Sequence, residues 1–132
     1  MRIAVLGASR ACAAALVAAA VAGGAFAQGP TSDTKPYDDK LLRLSEILGA
    51  VHYLRELCGA NDGQMWRERM KELMDTEASS ALRRARLTRS FNNGYRSYSR
   101  TYSVCSQTAQ TAITRFLTEG AEIADTLAKT AP

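Results

Sequence analysis

The chain has 132 residues, of which 46% are hydrophobic and 23% charged, and its formal net charge is +4. This length fits one small domain. The single histidine and the absence of a C-x-x-C motif argue against a metal or redox centre, so we expect no metal and no cofactor.

The first 27 residues have the pattern of a secretory signal peptide. Arg2 and Arg10 give a positive start, an apolar stretch of small residues follows, and Ala25 and Ala27 form an A-x-A cleavage pattern. We expect cleavage after Ala27, a periplasmic location and no membrane span in the mature chain, because the stretch is too short and alanine-rich for one. A retained N-terminal anchor is the alternative. Cleavage lowers the formal charge from +4 to +2.

Cleavage also leaves two cysteines, Cys58 and Cys105. Disulfides form and persist in an exported compartment, so we expect the pair to be bonded. Closing a loop of this length contributes about 4 kcal/mol in the chain-entropy model. A redox or metal-binding pair is the alternative.

The remaining pattern is helical, because no run alternates apolar and polar residues for long enough to predict a strand. Residues 28–37 are polar, contain two prolines and predict a disordered lead-in to a single helical domain over residues 38–128. A first helix is predicted from about Asp38 to Leu57, and a second from about Asp62 to Glu77. Their apolar residues recur at steps of three and four.

The last segment is predicted to begin near Ser79 or Ser80 and to continue as one long helix. From Phe91 to Leu127 its apolar residues follow one another at steps of three and four, so one side faces the core. Asn92-Asn93-Gly94 would ordinarily indicate a turn, but the stripe keeps its phase there, which favours a helix that continues or only kinks, between about residues 85 and 93. The predicted fold class is a small all-α bundle of three main helices stapled by one disulfide.

Arginines occupy the side of this last segment opposite its tyrosines. Four of them fall within an arc of roughly 80°, and no acidic residue occurs between Glu77 and Glu119. They are Arg86, Arg89, Arg96 and Arg100. This side is either a solvated outer face or a docking face for polyanions, such as anionic lipid headgroups, cell-wall polymers or an acidic protein patch. Nucleic acid is not expected, because the chain is predicted to be exported and carries no nucleic-acid motif.

Three charged residues interrupt the apolar stripes of their helices: Arg55, Glu77 and Arg84. Buried charges are costly unless they are paired, so we expect a buried or half-buried Arg–Glu–Arg network with His52 on its flank. Such a network is either structural or a binding site. A small hydrolase or lyase using Glu77 as a general acid or base is an alternative, although no catalytic motif accompanies it.

The tyrosines at positions 95, 98 and 102 face the core in this prediction. Each hydroxyl must find a partner when its ring is buried. They either pack with their hydroxyls at the rim of the core or line a pocket for a small ligand.

The segments "HYLRELC", "MWRERM", "RRARL", "FNNGYRSYSRTYSVC" and "ITRFLTEGAEIA" together resemble an uncharacterised alphaproteobacterial family of small exported two-cysteine proteins, a domain of unknown function. The resemblance covers roughly residues 48–127. It implies a periplasmic location, supports the disulfide and brings no activity with it. The family pattern matches Arg55, Cys58, Trp66, Arg67, Glu77, Arg84, Phe91, Asn92, Gly94, Tyr95, Tyr102, Cys105, Arg115 and Gly120.

The preferred hypothesis is therefore a non-enzymatic binding or adaptor protein of the cell envelope. Its partner would be an envelope protein or a cell-wall component. The charge cluster with its neighbours would either shape the bundle or form the recognition site. The candidate residues are Arg55, Glu77, Arg84, Trp66, Asn92, Tyr95, Tyr102 and Arg115.

Overall fold

A computed structural model describes residues 33–130, and the predicted signal peptide lies outside them. These residues form four helices: α1 (Asp38–Leu57), α2 (Met65–Glu77), α3 (Ala81–Thr101) and α4 (Gln107–Thr130). The all-α class is confirmed, since no strand occurs in residues 33–130. None of the helices in this part of the chain is long and apolar enough to cross a membrane.

Helix α1 is the hub of the bundle, because α2, α3 and α4 all pack against it, whereas no Cα atom of α2 lies within 8 Å of a Cα atom of α4. The second half of α1 forms one core cluster with α4, in which Val51, Leu54 and Phe116 are buried. The first half of α1 forms another with α2, α3 and the end of α4, in which Leu41 and Leu87 are buried.

The predicted long last helix is two helices. Helix α3 continues unbroken through Asn92-Asn93-Gly94 and ends at Thr101. Tyr102 then adopts an extended backbone, and α4 begins after Ser106, whose hydroxyl accepts a hydrogen bond from the backbone N–H of Ala109 at 3.1 Å. The apolar spacing does not reveal this break, because both helices turn apolar residues toward α1 and the steps of three and four continue across the connection.

The connection between α3 and α4 is fixed by the predicted disulfide. Cys58, which follows α1, is bonded to Cys105, and their Cα atoms lie 4.9 Å apart. The Tyr53 hydroxyl donates a hydrogen bond to the backbone carbonyl of Tyr102 in the same connection. The end of α1 therefore holds the point at which the chain turns from α3 into α4.

Helices α1 and α3 touch through their backbones at two glycines. A Cβ added to Gly49 would overlap the backbone carbonyl of Phe91, and one added to Gly94 would overlap the backbone carbonyl of Glu46. The steric requirement at position 94 outweighs the cost of about 1 kcal/mol that glycine carries within a helix. It also explains why the Asn-Asn-Gly sequence forms no turn here.

We expect Gly94→Ala to lower the free energy of unfolding by about 1–3 kcal/mol or more, because the new methyl forces the helices apart although alanine has the better helix propensity. Asn93→Ala is the matched control, since Asn93 is the exposed neighbour in the same helix. Urea unfolding followed by circular dichroism measures both. A Gly94→Ala protein as stable as Asn93→Ala would contradict the close backbone contact.

Candidate functional site

Arg83 is the most deeply buried arginine of the described residues, with 4% of its surface exposed. One of its terminal nitrogens lies 2.6 Å from Asp38 Oδ1 and 3.5 Å from Glu77 Oε2. Its Nε donates to the backbone carbonyl of Glu77 at 2.6 Å, and its Nη1 donates to that of Asp33 at 3.0 Å. The Tyr37 hydroxyl completes the cluster by donating to Glu77 Oε2 at 3.0 Å.

The start of α3 places Arg83 in this cluster. Ser80 caps the helix by accepting a hydrogen bond from the backbone N–H of Arg83 at 3.0 Å. Its hydroxyl also donates to the carboxylate of Asp33 at 2.7 Å. Residues 33–37, which the sequence assigns to the lead-in, therefore contact the bundle directly.

The carboxyl of Asp38 shows the electrostatic effect of this arrangement. Burial alone raises its pKa, but Arg83 and the backbone N–H of Lys35 stabilise the ionised form and bring the pKa below its usual value. Asp38 Oδ1 and Arg83 Nη2 are both buried and have no other hydrogen-bond partner in the described residues. Asp38 Oδ1 therefore depends on Arg83 Nη2 for compensation of its burial, and Nη2 depends on Asp38 and, at 3.5 Å, on Glu77.

Arg55 belongs to a separate cluster at the other end of α1. Its guanidinium makes two hydrogen bonds to the carboxylate of Asp62, at 2.7 and 2.9 Å. The indole Nε1 of Trp66 donates to the same carboxylate at 2.8 Å. These two donors lower the pKa of Asp62 to about 2. The cluster closes the connection between α1 and α2 and fixes the Trp66 ring.

The predicted grouping of Arg55, Glu77 and Arg84 was wrong. Glu77 is half-buried as expected, but its cationic partner is Arg83, and Arg84 is exposed beside the sulfur of Met74. The buried side of α3 is centred on Arg83, Leu87 and Gly94. These three residues lie roughly 40–80° around the helix axis from Phe91. Arg84 lies on the other side of Phe91 and points to solvent. The serine cap and the four-residue spacing of positions 83, 87 and 91 are the sequence signals that identify Arg83.

We expect Arg83→Met to lower the free energy of unfolding by about 3–5 kcal/mol, because it leaves Asp38 and Glu77 without their buried counter-charge. Arg84→Met is the matched control and should change it by no more than about 0.5 kcal/mol. Urea unfolding of the two variants measures the difference. Equal losses would show that the ion pairs of Arg83 do not stabilise the fold.

His52 is buried, with 5% of its surface exposed, and lies beside the rings of Phe91 and Tyr95. Its Nε2 accepts a hydrogen bond from Nε of Arg67 at 3.0 Å, which requires a neutral imidazole. Burial first, and the charge of Arg67 second, lower the pKa of His52, while Glu56 opposes them. The side chain thus acts as an uncharged acceptor that joins α1 to α2.

This arrangement predicts a pH dependence of stability. The unfolded chain has a normal histidine pKa of about 6.5, so it takes up a proton at a higher pH than the folded chain. Stability should therefore be complete above pH 6.5 and fall as the pH drops below it, by at most about 1.4 kcal/mol per pH unit.

Urea unfolding between pH 5 and 7.5 measures this effect, and His52→Gln is the control, because glutamine can accept from Arg67 but does not titrate. His52 is the only histidine of the chain, so the slope should disappear in the variant. A slope that persists in His52→Gln would assign it to another group.

The tyrosines and Arg115 pack within the bundle or on its surface. Tyr95 lies edge-on to Tyr53 with ring centres 5.4 Å apart, and Tyr98 lies edge-on to Phe116 at 5.0 Å. Tyr102 stacks on Tyr98. These contacts match the core-packing alternative for Tyr95, Tyr98 and Tyr102 better than a tyrosine-lined pocket. The guanidinium of Arg115, on α4, lies 5.5 Å from the centre of the Phe116 ring. Asn92 lines a shallow cleft of about 150 Å³ between α2 and α3.

The outer arginines of α3 are all exposed, as the sequence predicts. Among the described residues no carboxylate lies within ion-pair distance of their guanidinium groups. From Arg86 to Arg100 they extend along roughly 20 Å of helix. We call this surface, formed by Arg86, Arg89, Arg96 and Arg100, the arginine face.

Chemistry at Glu77 would require a carboxyl that is free to exchange a proton with a substrate. Its carboxylate is instead held by Tyr37 and Arg83. Over residues 33–130 no three side chains of histidine, cysteine, aspartate or glutamate gather in a group that could hold a metal ion.

Over the described residues, fold and site define a small all-α domain held by the Cys58–Cys105 disulfide, in which the most buried charges are paired with one another. The chain belongs to the family described as "Protein of unknown function (DUF2385)", whose sequence model matches residues 36–130. This confirms the resemblance at the level of a family of unknown function. No curated protein and no solved structure matches the chain.

Proposed function

We propose that this chain is an exported, non-enzymatic binding protein of the cell envelope and that it docks a polyanionic partner on its arginine face. The observation that carries the proposal is the arginine face itself: four exposed guanidinium groups on one side of a helix that contains no acidic residue. A row of exposed cations that has no carboxylate of the described residues within ion-pair distance attracts an extended anion and raises its association rate.

Export is supported by two features. The N-terminus carries the signal-peptide pattern that ends at Ala25 and Ala27. The bond between Cys58 and Cys105 suits an oxidising compartment, where structural disulfides persist.

The buried cluster is less suited to recognition. Arg83 is covered and engaged by Asp38, Glu77 and two backbone carbonyls, so binding a ligand there would break internal pairs. This engagement favours a structural role for the cluster. It also disfavours the alternative of a hydrolase or lyase that uses Glu77, since no observation frees that carboxylate.

The proposal predicts binding of the mature protein to vesicles that contain phosphatidylglycerol, with a steep loss of affinity as salt is added. Each basic residue near an anionic membrane contributes about 1 kcal/mol, so replacing all four outer arginines by glutamine should weaken binding by up to about three orders of magnitude at low salt. Cosedimentation with the vesicles measures the affinity.

A second variant controls for net charge. This variant replaces four other exposed cations, on α1, α2 and α4, by glutamine: Lys40, Lys71, Arg115 and Lys129. It loses the same number of positive charges and should bind nearly as well as the wild type. Equal weakening of both variants would contradict a specific arginine face. A soluble cell-wall polyanion, titrated in parallel, distinguishes the two sources of charge: binding of the polymer but not of the vesicles would assign the face to the cell wall.

A further inference from the structure

An apolar groove opens between α2 and α4. Its floor is α1, and its walls are α2 on one side and α4 on the other. No Cα atom of α2 lies within 8 Å of a Cα atom of α4, so the two walls stand apart above the floor. The floor is formed by Leu44, Ile47, Leu48 and Val51, and the walls by Trp66, Arg69, Leu73, Phe116, Leu117, Gly120, Ala121 and Ala124.

The groove has the size and lining of a small-molecule site. Its volume is about 350 Å³, at the lower end of the range of ligand pockets, which are mostly apolar with a few polar groups. Small residues on α4, namely Gly120, Ala121 and Ala124, leave the space open on that side. The Trp66 ring forms part of the opposite wall, and its hydrogen bond to Asp62 holds it in place.

Large apolar side chains remain partly uncovered around the groove. Leu117 is 39% exposed, and Leu48, Trp66 and Leu73 are half-buried. An apolar occupant would remove this surface from water, which is favourable in proportion to the area covered. The groove therefore favours an occupant with a hydrocarbon portion.

One charged residue lines the groove, and it is cationic. Arg69 lies on the same side of α2 as Trp66 and Leu73, the side that faces the groove, and its side chain is 61% exposed. Its partner is Glu72, in an ion pair 3.0 Å long at the surface. Surface pairs of this kind are weak, so a ligand anion can replace Glu72 at little cost.

We propose that this groove binds a single-chain amphiphile with an anionic head, its hydrocarbon chain along α1 and its head beside Arg69. The apolar lining selects the chain, and the charge of Arg69 selects the sign of the head. The site is separate from the arginine face and does not depend on the proposed function.

Titration calorimetry with dodecanoate below its critical micelle concentration tests the proposal on the full mature protein. Dodecyl maltoside and dodecyltrimethylammonium, which carry a neutral and a cationic head, are compared under the same conditions. We expect dodecanoate to bind most tightly. Arg69→Gln should weaken dodecanoate binding by up to about fivefold and leave the maltoside unaffected. Arg89→Gln, which removes the same charge from the arginine face, should change neither.

Ala124→Phe tests the location, because Ala124 is exposed at the groove wall and a phenyl ring there fills the space. We expect it to weaken dodecanoate binding by at least about tenfold with unchanged urea stability. Ala128→Phe, one turn further along the same helix and outside the groove lining, is the control. Binding that survives Ala124→Phe, or that is equal for all three heads, would overturn the proposal. A wild type that binds no dodecanoate would also overturn it. If that wild type self-associates in analytical ultracentrifugation while Ala124→Phe is monomeric, the groove would be assigned to a second copy of the chain.

Discussion

The backbone contact between α1 and α3 at Gly49 and Gly94 is the constraint on which the rest of the structure depends. Because neither glycine carries a side chain, the two helices approach until backbone meets backbone, which leaves no room for a Cβ at either position. This contact fixes the rotation of α3 about its own axis. Arg83 is consequently turned inward to Asp38 and Glu77, and the arginine face is turned outward. A single steric requirement thus separates the buried cation from the exposed ones.

Much of the helical layout could be predicted from apolar spacing. The observed bounds of α1 are those predicted, and α3 continues through Asn92-Asn93-Gly94, as the unbroken phase of the apolar stripe predicts. The break between α3 and α4 could not be found in this way, since spacing reports which side faces the core and not whether the backbone is continuous. The cap at Ser106 marks the break locally, but its signal is weaker than a stripe that runs on from Tyr98 to Ala109.

The choice between Arg83 and Arg84 shows why the charge cluster was harder to predict. Neighbouring residues lie about 100° apart around a helix, so an error of half that angle in the buried arc exchanges one arginine for the other. The predicted buried side of α3 was centred on the tyrosines. In the structure the tyrosines pack at the edge of the buried side, and Gly94 lies at its centre. Arg55 was assigned to the wrong cluster for another reason. Its guanidinium pairs with Asp62, seven residues further along the chain in the short connection to α2, and not with Glu77.

Helix α1 has three neighbours, which cover most but not all of its surface. Helix α3 covers one side through the glycine contact, and α2 and α4 cover two others, with no Cα atoms of the two within 8 Å of each other. The side between them remains an apolar groove because α2 is short and is tied by the Arg55–Asp62–Trp66 cluster to the end of α1, while the disulfide fixes the start of α4 near the same end. These ties hold the starts of α2 and α4 at the same end of α1, on either side of the groove.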